Sequence, residues 1–134
     1  MIKRAAERRY VLRRIFDRKE GKSVRVAVIG SRNIKAIDLS KYLPEGTDEL
    51  VSGGARGVDT VAREYARSAG LPITEFLPEY DKYGKGAPLV RNVSIIEYAD
   101  IVLAFWDGKS RGTRFVIDKC KKLGKEVRIF MAEQ

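Results

Sequence analysis

Glu49-Leu50-Val51-Ser52-Gly53-Gly54-Ala55-Arg56-Gly57-Val58-Asp59 passes from a short apolar run, through a turn rich in glycine, into an alanine-rich helical pattern. Glu49-Leu50-Val51-Ser52 reads as a strand. From Asp59 to Ala69, the positions Val61, Ala62, Tyr65, Ala66 and Ala69 fall on one side of a helix. Glycines in the turn let the backbone take positive φ and let a ligand approach without a Cβ in the way. A strand running through such a turn into a helix is the unit from which parallel sheets are built. The turn also presents free N–H groups at the positive end of a helix dipole, which suits phosphate or another anion. Its spacing fits neither a Walker A loop nor a GxGxxG fingerprint, and a plain connecting turn would look the same.

The same unit recurs along the chain. Val24 to Ile29 is β-branched and almost wholly apolar, as a central strand covered on both faces requires. Gly30-Ser31-Arg32-Asn33 ends it, and a helix is expected over Ile34 to Leu43, stopped by Pro44. After Gly70, a helix cap, Pro72 to Leu77 reads as an outer strand. Residues 78–88 read as a polar loop, and Leu89 to Tyr98 as a helix. Tyr80, Lys82, Tyr83, Gly84, Lys85 and Gly86 fit either a mobile lid or a solvated connection. Ile101 to Trp106 is the most apolar strand. Asp107 to Gly112 turns into a helix over Thr113 to Leu123, capped by Gly124, and Glu126 to Phe130 is the last strand. This alternation predicts an α/β fold: one Rossmann-like, doubly wound parallel sheet of about five strands, with helices on both faces. In such sheets ligands bind outside the carboxyl ends of the strands, and the three glycine turns at Gly30, Gly53–Gly57 and Gly108–Gly112 all fall there.

Bulk composition narrows the chemistry. The 134 residues are 44% hydrophobic and 34% charged, with a net charge of +9. That is a single-domain length, with no apolar run long enough to span a membrane. One cysteine, Cys120, cannot form an internal disulfide, so a reducing cytoplasm is the expected compartment. There is no histidine, which excludes a Ser-His-Asp triad and, with one cysteine, argues against a structural zinc site. Residues 1–22 hold nine Lys or Arg against three Asp or Glu, whereas residues 23–134 hold eighteen against fifteen. The chain therefore divides into a basic segment, 1–22, and a nearly balanced body, 23–134. The basic segment is expected to be an amphipathic helix from Ala5 to about Arg18, with Ile2, Ala5, Ala6, Leu12, Ile15 and Phe16 near one face. Packing on the body or a second subunit, contact with nucleic acid, and adsorption to a membrane surface all fit it.

Four pieces in order, Val28-Ile29-Gly30-Ser31-Arg32, then Val51 to Asp59, then Arg91-Asn92, then Phe105 to Thr113, resemble the SLOG superfamily of Rossmann-like nucleotide-binding domains. The YspA-like branch is the nearest in pattern, with the DprA DNA-processing proteins and the LOG cytokinin-activating hydrolases as relatives. The resemblance covers about Ser23 to Phe130. It implies a nucleotide or ADP-ribose-like ligand, with Mg²⁺ accompanying a diphosphate left open, and a homodimer as the family's assembly.

The ligand-binding candidates are Gly30, Ser31, Arg32, Gly53, Gly54, Ala55, Arg56, Gly57, Asp59, Arg91, Asn92, Ser110, Gly112 and Thr113. Ser31 and Arg32 could hold a phosphate, the arginine through a planar bidentate contact. Asp59 could accept from ribose hydroxyls, or could simply complement its helix dipole. Ser110, Gly112 and Thr113 sit at a helix start, where hydroxyls and N–H groups favour an anion, and Thr113 could equally serve as a plain cap. Arg91 could reach a phosphate and Asn92 a base or carbonyl. Trp106 could stack on a base or belong to the core.

Three functions fit these residues. The first is binding or sensing of a nucleotide or nucleotide-derived ligand at the carboxyl edge of the sheet. The second is hydrolysis of a nucleotide N-glycosidic bond, with Asp59 or Asp107 as the carboxylate. The LOG signature Pro-Gly-Gly-x-Gly-Thr-x-x-Glu is absent, however, and Val116 stands where its glutamate would be. The third is DNA binding in the manner of DprA, helped by residues 1–22.

Overall fold

The computed structural model describes residues 2–5, 23–54 and 56–132. Six strands form one sheet: β1 (Ile2–Ala5), β2 (Val24–Gly30), β3 (Thr47–Ser52), β4 (Ile73–Glu75), β5 (Ile101–Trp106) and β6 (Glu126–Ala132). Their order is β1-β6-β5-β2-β3-β4. The five strands from β2 to β6 are parallel, and β1 lies antiparallel on β6, with Ile2 opposite Ala132 and Ala5 opposite Ile129. Four helices are described: α1 (Val58–Ala69), α2 (Tyr80–Tyr83), α3 (Ala87–Tyr98) and α4 (Arg111–Leu123). The architecture is the Rossmann-like doubly wound sheet that the alternation implies.

Period-two alternation in the central strands supplies a core on each face. Val24, Val26 and Val28 of β2, with Ile101, Leu103 and Phe105 of β5, pack with Val58, Ala62 and Ala66 of α1. On the other face, Ala27, Ile29, Val102 and Ala104 meet Ile95 and Ile96 of α3 and Val116, Ile117 and Cys120 of α4. Phe105, Phe130 and Tyr42 form an aromatic group on the α1 face, with the two phenylalanine rings stacked 5.1 Å apart. The glycine caps of α1 and α4 are as expected, since Gly70 and Gly124 both take the left-handed conformation and close their last turns.

Three expectations need correction. The helix over Ile34 to Leu43 does not form; the segment is irregular, with one 3₁₀ turn at Leu39–Lys41. Asp38, in extended backbone within that run, accepts from both the N–H and the hydroxyl of Ser40, a local bond that competes with helix. Meanwhile Ile34, Ile37, Leu39, Tyr42 and Leu43 all pack toward the core. The loop over 78–88 is instead α2, a 3₁₀ turn at Gly84–Gly86, and the start of α3, which opens at Ala87 with Pro88 in its first turn. Finally, Ala5 belongs to a strand, not to a helix start: β1 covers the edge of β6 that would otherwise stand unpaired. The rest of the expected basic helix lies outside the described residues.

Candidate functional site

The chain moves outward from β2 through β3 to β4, then returns to the other side of β2 with β5 and β6. The order therefore reverses between β2 and β5, and a crevice opens above their carboxyl ends. There an open cleft of about 160 Å³ is lined by residues from four separate segments. Gly30 and Arg32 follow β2; Gly53, Arg56 and Asp59 follow β3; Pro88, Leu89, Arg91 and Asn92 come from the first turns of α3; Ser110, Gly112 and Thr113 open α4. Ile29, Ile95 and Val116, nearly fully buried, form its floor.

Ten of the candidates read from the sequence thus meet at one place. Three other described candidates, Ser31, Gly54 and Gly57, do not line it. Ser31 is buried, and its hydroxyl accepts from the Asp107 N–H at 3.2 Å, tying the end of β2 to the turn after β5. Gly54, at φ 70°, lies against Leu77. Gly57, at φ 75°, abuts the Arg32 backbone, so an added Cβ would stand 2.6 Å from the Arg32 carbonyl oxygen. Ala55 lies outside the described residues. Asp107 is engaged by its own turn, accepting from the N–H groups of Lys109 and Ser110 at 2.8 Å each. Those bonds, led by the one from Ser110, hold its carboxyl below the usual carboxylate range. Trp106 packs against the α3–α4 core, and its indole N–H donates to the Ser110 carbonyl.

Arg91, which lines the cleft, is bonded to two other segments of the chain. Its Nη1 donates to the Gly53 carbonyl at 2.8 Å and to the Phe76 carbonyl at 3.3 Å, while Nε donates to the Asn92 side chain at 2.8 Å. Burial lowers the guanidinium pKa; Asp59 and Tyr80 oppose that, and the like charge of Arg32 adds to it. Two arginines from distant segments therefore face one small volume closely enough to repel.

Both polar helix starts favour negative charge. Gly57 caps α1 without any side-chain hydrogen bond, so the first-turn N–H groups of that helix have no side-chain acceptor from their cap. At α4 the cap is Ser110 and not Thr113, since the Ser110 hydroxyl accepts from the Thr113 N–H at 3.4 Å. The first turn of α4 has no acidic residue and carries Arg111 and Arg114, which oppose the helix dipole. Asp59 is the acidic residue of the first turn of α1, consistent with dipole complementation.

The apolar part of the lining was not among the sequence candidates. Pro88 marks the α3 start, and Leu89 beside it is 45% exposed. A leucine beside a proline at a helix start was the available signal. Among the described residues, no three His, Cys, Asp or Glu are grouped to hold a metal ion. No described helix is long and apolar enough to cross a membrane.

No family model matches the chain, and no solved structure matches it. It is similar to the Gene 61 protein of Mycobacterium phage D29, 35% identical over 115 residues, a region covering 75% of this chain and 90% of the phage protein.

Proposed function

The chain belongs to the family of the Mycobacterium phage D29 Gene 61 protein, and for it we propose binding of a nucleotide or nucleotide-derived ligand at the carboxyl edge of the sheet. The observation that carries this reading is the convergence of Arg32, Arg56 and Arg91 on a cleft that holds a single carboxylate among its lining residues, Asp59. Placing like charges around a small volume costs free energy, and an anion between them reverses the sign of that cost. Arginine suits phosphate because its planar fork makes two parallel hydrogen bonds. The helix starts of α1 and α4 add N–H groups and dipole, and the Ser110 and Thr113 hydroxyls add neutral partners. The position at the strand-order reversal is where doubly wound folds take such ligands.

The reading is of binding, without a catalytic step. Glycoside hydrolysis by a retaining or inverting route uses two carboxyl groups, and Asp107 is occupied by its own turn. Asp59 is placed to meet ribose hydroxyls. A magnesium ion carried by a diphosphate would find Asp59 as its protein carboxylate. A SLOG-type relationship, with its homodimer, agrees with this arrangement and remains part of the proposal.

The test is native mass spectrometry of freshly purified protein, followed by calorimetric titration with AMP, ADP and ADP-ribose. A retained nucleotide, or saturable binding that Arg32→Ala weakens at least about tenfold without lowering the melting temperature, supports the reading. A bare protein that takes up none of the three overturns it.

A further inference from the structure

The cleft is built from two chemically different parts. Segments after β2, β3 and β5 supply arginine, carboxylate, hydroxyl and backbone N–H, whereas the first turn of α3 supplies Pro88 and Leu89. Arg91 and Asn92, one turn further along α3, join the two parts. Leu89 is 45% exposed and Tyr80 58% exposed, and neither is needed to complete either core. Tyr80 opens α2, the short helix packed against α3. Beyond them, Leu77, Tyr83 and Val90, together with the polar Glu79 and Ser94, line a hollow of about 70 Å³ that shares Arg91 with the cleft. Single exposed apolar side chains are ordinary, but a contiguous group beside a polar cleft marks a contact surface.

We propose that Pro88 and Leu89, with Tyr80 beside them, form the seat of the ligand's nucleobase. The proposal rests on the nucleotide reading of the cleft and assigns its orientation: phosphate toward Arg32, Arg56 and the α1 start, base toward the α3 start. Recognition there is by apolar contact and stacking, because Pro88 and Leu89 offer no polar side-chain group and Tyr80 one phenol, while the side-chain oxygen of Asn92, one turn on, accepts from Arg91 Nε. Stacking tolerates any base but grows with ring area, so a purine binds more tightly than a pyrimidine.

The experiment is calorimetric titration of the full chain with AMP, UMP and ribose 5-phosphate, repeated on Leu89→Ser and Tyr80→Ala. Both substituted residues are exposed, and melting temperatures confirm that the variants fold. The wild type is expected to bind AMP at least about tenfold more tightly than ribose 5-phosphate, with UMP between them. The variants are expected to lose most of that gap while their affinity for ribose 5-phosphate stays within about twofold. Equal binding of the three probes by the wild type, or a gap that both variants keep, overturns the base seat and leaves the phosphate cradle standing. Absence of binding by all three at millimolar concentration overturns the nucleotide reading and the base seat with it. Should Leu89→Ser change the mass seen by light scattering while the gap persists, the lip is a contact between copies of the chain, and the base seat is again overturned.

Discussion

The Arg91 guanidinium donates to the Gly53 carbonyl at 2.8 Å, so the first turns of α3 are bonded directly to the glycine loop after β3. An added Cβ on Gly53 would stand 2.6 Å from Arg91 Nη1 and 2.9 Å from Cζ. The glycine is required because a guanidinium, not a ligand, occupies the space beside it. Gly53→Ala is therefore expected to leave the fold in place, since the far end of a flexible side chain can move, yet to weaken nucleotide binding several-fold by displacing Arg91. Circular dichroism with calorimetry separates the two effects.

Gly57 presents the opposite case. Its φ of 75° is strained for any L side chain, and its Cβ would meet the Arg32 backbone at 2.6 Å. Gly57→Ala should lower the stability of the domain by about 2 kcal/mol or more, combining backbone strain with overpacking. Urea denaturation would show a lower midpoint at unchanged slope.

Asp107 links stability to acid. Its folded pKa lies below the usual value because Ser110 and Lys109 donate to it, so its contribution is complete above the ordinary carboxylate range near 4. The contribution fades as the pH falls from there through the depressed folded value. Asp107→Ala is expected to cost about 1 kcal/mol at neutral pH, the size of a lost cap. Once the pH has fallen through that depressed folded value, the variant and the wild type should converge in stability.

The Cys120 thiol is buried in the α3–α4 core, and desolvation pushes its pKa up to about 11. In the unfolded chain the ordinary value is near 8.5. The raised folded value means that this group's contribution is complete below about 8.5 and is lost as the pH rises toward 11. A thiol reagent at pH 8 should label the native protein far more slowly than the denatured one, because only the thiolate reacts.

At β6, Glu126 and Arg128 lie two residues apart on one face of the strand, both almost fully buried, with Arg128 Nε donating to Glu126 Oε2 at 2.9 Å. Arg128→Ala removes the cation that is hydrogen-bonded to the buried Glu126 carboxylate. A loss of about 3 kcal/mol is expected, measured as the shift in chemical denaturation.

Much of the molecule is legible along the chain because it depends on local chemistry. The apolar, β-branched run Val24–Ile29 and the hydrophobic run Ile101–Trp106 are strands wherever they occur, and Gly70 and Gly124 end helices because left-handed backbone favours glycine. Alternation of strands with helices then implies a parallel sheet. Local chemistry misleads where tertiary contacts outweigh it. Ile34 to Leu43 has the spacing of a helix, but burial of Ile34, Ile37 and Leu39 together with the Asp38–Ser40 bond holds it irregular. Ala5 reads as the start of a basic helix until β6 offers an edge for Ile2–Ala5 to pair with.

The sequence by itself determined the layered α/β architecture, the glycine turns at the carboxyl edge, and the residue types available there. Only the tertiary structure decided which of them share a cleft. Strand order is a long-range property: placing β5 beside β2 brings Ser110 and Thr113 next to Arg32, and folding α3 back over β3 brings Arg91 to Gly53. The same packing turns Ser31 inward to Asp107 and sets Leu89 at the rim. No periodicity encodes those neighbours, because they are separated along the chain and joined only when both faces of the sheet are covered.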